Sequence, residues 1–182
     1  MFKNSGSIAA LLVVAALAAC SDSDGGSSRD ESPSFAELAT RNEEMADRVA
    51  AMAETTTLPT AGSATYEGTG AFNVGADAST DMLAELTLEA NFETSEVGGE
   101  FSNFVGADGR EIGGELTVQD SVANLNAFDA QVAGTLDDNG AKEVDALMSG
   151  AFRGADAEAV SGTIEGTIGS DTLGGDFVAE KK

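Results

Sequence analysis

The sequence predicts a mainly β protein, an eight-stranded antiparallel up-and-down barrel with a filled apolar core, preceded by one amphipathic helix. Three observations predict this fold. From residue 58 onward, eight segments alternate apolar with polar side chains, the period of a strand that faces a core on one side. Turns rich in Gly, Asp and Asn separate these segments and are short enough to join antiparallel neighbours. Ahead of them, apolar residues recur at helical spacing.

Residues 1–19 are interpreted as a lipoprotein signal peptide. Lys3 supplies a positive start, and Ile8–Ala19 is an uninterrupted apolar run. A membrane-spanning helix needs about 20 apolar residues, so this run is too short for a permanent span and is typical of a secretory signal that is removed. The run ends in Leu17-Ala18-Ala19-Cys20, which resembles the bacterial lipoprotein box.

The resemblance to that box implies that Cys20 becomes the lipidated first residue of the mature protein. Several acyl chains on one residue give stable membrane anchoring. The alternative is an ordinary signal peptide with a buried or free thiol. This alternative is weaker because Cys20 is the only cysteine and no disulfide framework follows. In such lipoproteins, an Asp directly after the cysteine resembles a signal that retains the protein in the inner membrane. Ser21 occupies that position here, which indicates the outer membrane.

Residues 20–34 are predicted to be the lipidated cysteine and a flexible linker, because Ser, Gly and Asp dominate and core-forming residues are absent. Residues 35–57 are assigned to an amphipathic helix, with the helical pattern running from Pro33 to Glu54 and Ser32 as the cap. The apolar stripe of this helix contains one polar residue, Asn42. Its members are Phe35, Leu38, Asn42, Met45, Val49 and Met52.

Two interpretations of this stripe stay open. A polar Asn within a heptad stripe sets the register of a coiled coil, but the stripe covers less than three heptads. The favoured interpretation is that the helix packs on its own domain. Ala133, Leu147 and Ala151 break the polar pattern of the outer face, so we expect the helix to dock there.

Residues 58–182 are interpreted as the barrel. Its strands are predicted at 65–74, 82–92, 97–104, 112–118, 128–136, 144–152, 160–168 and 173–179. One face of every strand is apolar or Gly, and the other carries most of the Asp and Glu. A barrel that spans a membrane needs the reverse, so the outer surface is predicted to face water. Large residues alternate with Gly on the inward face, which favours a filled core over a lipocalin-like pocket.

Composition excludes several classes of function. The chain has 9 Lys and Arg against 32 Asp and Glu, a formal charge of -23, so we expect no nucleic-acid partner. It has no His, which removes the commonest general base and metal ligand. We therefore predict that the protein is not an enzyme and has no cofactor, no metal site and no catalytic residues. Cys20, as the lipidation site, is the single site residue predicted.

One known family shares features of this sequence. The segments 58–68 (LPTAGSATYEG) and 150–164 (GAFRGADAEAVSGTI) resemble the barrel entry and the repeated strand signature of transferrin-binding protein B and its relatives. This resemblance implies a lipoprotein with an eight-stranded barrel, often displayed on the cell surface. Larger members have two lobes with handle domains, whereas one barrel without a handle is predicted here. No transferrin-binding residues are therefore carried over.

The predicted function is a lipid-anchored envelope lipoprotein that presents a non-catalytic binding module at the outer membrane. Its partners would be the membrane, through the lipid on Cys20, and a protein bound by the barrel loops. Gln119–Ala127 is predicted to be the longest loop. The alternative is a structural or accessory lipoprotein with no ligand of its own. Both faces of the outer membrane stay open, and a closed barrel with an acidic coat predicts a monomer.

Overall fold

The structure, a computed structural model, describes residues 32–76 and 79–182, and it describes their side chains except those of Asp120 and Val122. The predictions for the signal peptide, for Cys20 and for most of the linker lie outside these residues. Ser32–Lys182 form one compact unit.

The helix, α1 (Phe35–Ala50), begins at the first residue of the predicted range, but Ser34 and not the predicted Ser32 caps it. The Glu37 N–H donates to Ser34 Oγ at 3.4 Å, and the Ser34 N–H donates to Glu37 Oε2 at 2.9 Å, which completes a capping box. The hydrogen bonds from the side chain and backbone of Ser34 lower the pKa of Glu37. The helix ends at Ala50, before the predicted residue 57, with Ala51 as its C-cap, and farther along the Thr55 N–H donates to the Phe152 carbonyl.

Eight strands form a closed antiparallel barrel, so the predicted fold class is confirmed. Each strand pairs with its neighbours in the sequence, and the last pairs with the first from Tyr66–Lys181 to Val74–Leu173. The strands are β1 (Ser63–Val74), β2 (Met82–Asn91), β3 (Glu96–Gly106), β4 (Glu111–Asn124), β5 (Ala127–Asp137), β6 (Ala141–Arg153), β7 (Ala159–Ile168) and β8 (Asp171–Lys181).

Aliphatic and aromatic side chains fill the barrel, as the inward alternation predicts. The largest fully buried side chains include Tyr66, Phe72, Phe101, Phe104 and Phe152. The ring of Phe152 lies 5.6 Å from that of Phe128 and 6.0 Å from those of Tyr66 and Phe92. These separations are typical of favourable aromatic pairs, so the rings form one cluster inside the barrel.

Two glycines that face each other across β6 and β7 make this filling possible. Gly150 pairs with Gly162. A Cβ on Gly150 would lie 2.6 Å from the ring of Phe128, and one on Gly162 would lie 2.0 Å from the backbone oxygen of Ser149. Protein interiors are close-packed, so either side chain would displace a ring or a strand. The alternation of Gly with large residues is therefore a packing requirement of the barrel.

Two irregularities escape the sequence pattern. The β3–β4 register shifts between Phe101 and Phe104, and Asn103 there has a φ of 52°. Against β2, residues 102–105 of β3 stand opposite 83–85, so β3 has one extra residue there, which returns Phe104 to the barrel interior. The β4–β5 register also shifts, between Gln119 and Val122, and β4 continues to Asn124. Among residues 32–76 and 79–182, we find no helix with the length and apolar character needed to cross a membrane.

Candidate functional site

The outside of the barrel carries α1, and the contacts of this helix determine which surfaces remain free. Leu38 of α1 is fully buried and clusters with Leu83 of β2 and Val105 of β3. A second cluster lies towards the end of α1. It contains Met45, Val49, Ala159 and Val178, with Met52 packed against them. The helix therefore crosses the barrel wall from the start of β2 to the start of β7.

The prediction that α1 docks on Ala133, Leu147 and Ala151 is wrong. Leu147 is 50% exposed, and α1 contacts β1, β2, β7 and β8. The true docking residues lie on the outer face within short apolar runs, where inward and outward positions look alike. Two such runs are 82–84, around Leu83, and 177–179, around Val178. Consecutive apolar residues in an amphipathic strand mark burial on both faces, and this was the signal for the docking surface.

Asn42, the polar member of the helical stripe, contacts the barrel. Its Nδ2 donates to Thr69 Oγ1 at 2.9 Å, and Thr69 is fully buried beneath the helix. Buried polar groups need hydrogen-bond partners, so the two side chains satisfy each other. Asn42 thus fixes α1 on the barrel, in place of the coiled-coil role that the sequence left open.

Two arginines flank the apolar stripe and pair with the barrel. Arg41 Nη1 lies 2.6 Å from Glu85 Oε1, and Arg48 forms a two-pronged pair with Glu180 at 3.0 and 2.7 Å. Burial alone would raise the pKa of Glu85, but hydrogen bonds from Asn103 and Arg41 outweigh it and lower this pKa. The seven-residue spacing of the arginines, which puts them on one side of the helix, was the sequence signal for these pairs.

A groove of about 430 Å³ lies between α1 and strands β7 and β8. Ala46, Val49 and Ala50 are among its apolar lining residues, and Arg153 and Asp176 are charged ones. The Arg153 Nε is buried without a hydrogen-bond partner, and its Nη1 is 3.5 Å from Glu54. The volume suits a small ligand, but the opposite charges favour neither an anion nor a cation, and we assign no ligand to it.

The barrel has two rims that differ in their relation to α1. The proximal rim carries the β1–β2, β3–β4, β5–β6 and β7–β8 turns, and α1 begins near it, with Phe35 packed in the Leu38 cluster. The distal rim carries the β2–β3, β4–β5 and β6–β7 turns and the segment 51–62 that links α1 to β1. The first turn of α1 therefore lies on the proximal side of the barrel.

The predicted loop Gln119–Ala127 is mostly strand, which corrects the sequence interpretation. β4 ends at Asn124 and β5 starts at Ala127, so only Leu125 and Asn126 form the turn. The alternation of apolar and polar residues is interrupted around the register shift at Gln119, and for this reason the sequence predicts a loop here. The result is a hairpin tip on the distal rim, with Leu125 79% exposed.

Strained backbone is concentrated on the distal rim. Ser95, Leu125 and Ala157 have φ values of 60°, 58° and 52° in the three distal turns. In the proximal turns the described residues with positive φ are glycines and one Asn. They are Gly75, Gly109, Asn139, Gly140 and Gly169. A non-Gly residue in the left-handed region costs on the order of 1–3 kcal/mol, and residues under such strain cluster at functional sites.

The segment 51–62 covers part of the distal rim. Thr55 is buried, and its Oγ1 donates to the Gly154 carbonyl at 2.7 Å. Inside the same rim, the Tyr66 hydroxyl donates to the Ala157 carbonyl at 2.7 Å. Burial raises the pKa of Tyr66 to about 12. Ala157 is itself buried, so this hydrogen bond supports its strained backbone and holds the β6–β7 turn over the barrel end.

Positive charge is confined to a few places on this anionic surface. Arg41, Arg48, Arg153 and Lys182 pair with acids around α1, β1 and β8. From residue 82 to residue 141 the sequence has one cation, Arg110, which pairs with Asp108 and Asp138 at the proximal rim. The segment 82–141, which contains β2 to β5, therefore contributes no Lys or Arg to the distal rim.

Among the described side chains, no group of three or more His, Cys, Asp or Glu is arranged to hold a metal ion. Cys20, the predicted site residue, lies outside the described part of the chain, so its lipidation stays a prediction. The Asp137–Gly140 segment forms a tight turn, in which the Gly140 N–H donates to Asp137 Oδ1 at 3.0 Å.

Residues 32–182 thus combine one closed barrel with one external helix, and this fold is similar to part of some solved structures. No family model matches the chain, and no curated protein matches it. Intact two-lobed Ap-TbpB matches at 19% identity with a TM-score of 0.50, over 70% of this chain and 28% of that one. A single mutant of transferrin-binding protein B from Haemophilus parasuis Hp5, a vaccine antigen, matches at 18% identity and 0.51, over 71% and 28%.

The barrel is therefore similar in fold to transferrin-binding protein B, and the predicted resemblance is confirmed at that level. At these identities the likeness concerns the fold alone. The chain matches about 28% of the length of those proteins.

Proposed function

We propose that this protein is a lipid-anchored lipoprotein of the bacterial outer membrane that presents a non-catalytic binding barrel. The observation that carries the proposal is the likeness of the barrel to transferrin-binding protein B. Cys20 in its lipoprotein box supports the anchor, and Ser21 after it supports the outer membrane. The absence of His from the whole chain supports a role without catalysis.

The anchor is tested by labelling cells that express the full chain with an alkyne analogue of palmitate. We expect a labelled protein in the outer-membrane fraction and no label on the Cys20→Ala variant. Ser21→Asp is the matched sorting variant, because it should stay lipidated but move to the inner membrane. A labelled Cys20→Ala protein, or a mature chain that retains residues ahead of Cys20, would refute the anchor.

The side of the membrane is tested by adding trypsin to intact cells. Surface display predicts loss of the protein without lysis, whereas a periplasmic barrel would be cut only after the outer membrane is permeabilised. A periplasmic protein of the outer membrane serves as the control for leakage. Size-exclusion chromatography with light scattering on the purified 21–182 fragment tests the proposed monomer.

Binding is tested with the 21–182 fragment and purified serum transferrin, the ligand named for the structural neighbours. A saturable, stoichiometric complex supports the binding role directly. The accessory alternative is favoured by one observation, the short turns at both rims. It predicts no complex with transferrin and a stable association with other envelope proteins that persists when the distal turns are replaced.

A further inference from the structure

We propose that the tip of the β4–β5 hairpin, Leu125, together with the acidic β2–β3 turn beside it, is the contact surface for a protein partner. That partner would carry an apolar recess edged by Lys or Arg. The inference rests on the proposed binding function and adds the location and the chemistry of the contact.

The first argument is the residue type at the tip. Leu125 adopts a φ of 58° while 79% of it is exposed. Leu is disfavoured in the left-handed region, and burial in the protein cannot compensate here because little of the side chain is buried. The β5–β6 turn on the proximal rim uses Asn139 and Gly140 at its positive-φ positions, the residues that suit them. Folding therefore gives no reason for Leu at position 125.

The second argument is the surroundings of the tip. The Ala123 N–H donates to the Ser95 carbonyl at 3.0 Å, which joins the end of β4 to the β2–β3 turn. Glu93 and Glu96 in and beside that turn are exposed. No Lys or Arg lies between residues 82 and 141 except Arg110 on the proximal rim. The tip thus presents an apolar side chain next to uncompensated carboxylates, and the complementary surface is apolar and basic.

This chemistry favours a protein over the other occupants. A second copy would bring the same carboxylates to the contact, so the two tips would repel each other. An anionic lipid surface would repel Glu93 and Glu96 as well. A basic recess on a protein would bury Leu125 and neutralise the acids together.

The strain is measured on the full chain, purified in detergent. Leu125→Asn removes an exposed side chain and gives the turn a residue that tolerates positive φ, so we expect the unfolding temperature to rise by about 2–4 °C. The matched control is Leu147→Asn, which changes the other exposed leucine, on the outer face of β6, and should leave the unfolding temperature within about 1 °C. A lower unfolding temperature for Leu125→Asn would overturn the argument from strain.

The contact is measured in cells that express the full chain with a photo-crosslinking amino acid at position 124, where Asn124 is exposed. We expect one adduct whose yield falls about tenfold or more with Leu125→Asn, as loss of a buried leucine contact predicts. The yield should be unchanged with Leu147→Asn, and it should fall when NaCl is raised to about 0.5 M, since charge pairs at the edge are screened.

The alternatives give distinct outcomes. If the adduct is a dimer of this chain, the inference is overturned in favour of self-association. If the purified chain binds phosphatidylglycerol vesicles and Leu125→Asn abolishes this binding, the inference is overturned in favour of a lipid partner. An adduct that is insensitive to Leu125→Asn overturns the inference while the binding function stands. The same crosslinking amino acid is also placed at positions 139 and 147. If positions 124, 139 and 147 all give no adduct in cells, the result counts against both the inference and the proposed binding function.

Discussion

Gly162 lies where β7 and β6 approach so closely that there is no room for a side chain. A Cβ there would lie 2.0 Å from the Ser149 oxygen and 2.8 Å from the ring of Phe177. We expect Gly162→Ala to lower the free energy of unfolding by about 1–3 kcal/mol, measured by urea denaturation. Gly113→Ala is the control, because the nearest atom to its Cβ would be 3.7 Å away, and it should be close to neutral.

The buried Tyr66 makes the free energy of unfolding depend on pH in the alkaline range. Its pKa in the folded protein, about 12, lies above the ordinary value of 10.0, so folding favours the protonated form. The associated stability is complete below pH 10 and is lost as pH rises from 10 towards 12, by on the order of 2 kcal/mol. Unfolding measured from pH 8 to pH 12 checks this loss.

Tyr66→Phe is the matched variant for the pH experiment. It removes the titrating group and the hydrogen bond to Ala157, so we expect lower stability at pH 8, by about 1–2 kcal/mol, and a flatter dependence above pH 10. A variant as sensitive to alkali as the parent would show that groups other than Tyr66 cause the pH dependence.

At the scale of the element, α1 is held by few buried residues. Leu38 is fully buried between α1 and the barrel. A charged side chain at this position can reach water only if the helix leaves the barrel, so Leu38→Glu should release the first half of α1. Limited trypsin digestion is the measurement, since Arg41 and Arg48 lie within the helix. We expect rapid cleavage at Arg41, which lies in the released half, and an intact barrel fragment.

Leu147→Glu provides the contrast for the helix experiment. It places a charge on the surface that the sequence pattern assigned to α1 but that the structure leaves exposed. Cleavage at Arg41 and Arg48 should therefore match the parent protein. Faster cleavage in this variant would show that α1 contacts β6.

The sequence predicts the elements better than the contacts between them. Alternation with period two identifies all eight strands and their inward faces, because each barrel strand has one face in the core. The site of helix docking could not be inferred, because Leu83 and Val178 lie in runs of consecutive apolar residues, where inward and outward positions look alike. The β4–β5 tip was mistaken for a loop because a register shift interrupts the alternation at Gln119. Strain at Leu125 depends on backbone angles that a sequence does not display.

At the scale of the whole molecule, negative charge opposes folding. The formal charge is -23, with 32 acidic and 9 basic residues, so compaction brings like charges together. We expect the unfolding temperature of the 21–182 fragment to rise by several degrees between 10 mM and 500 mM NaCl, as salt screens this repulsion. Differential scanning calorimetry checks it, and an unchanged or lower value would show that the ion pairs of α1 outweigh the repulsion.

The pairing of β8 with β1 also constrains the order of events during synthesis. β1 starts at Ser63, but the strand that completes its hydrogen bonding ends at Lys181, so the ribosome must synthesise residues 63–181 before the barrel can close. A sheet without β8 has two unpaired edges, one on β1 and one on β7. Closure of the barrel is therefore a late event, because it joins two strands that lie at opposite ends of the domain's sequence.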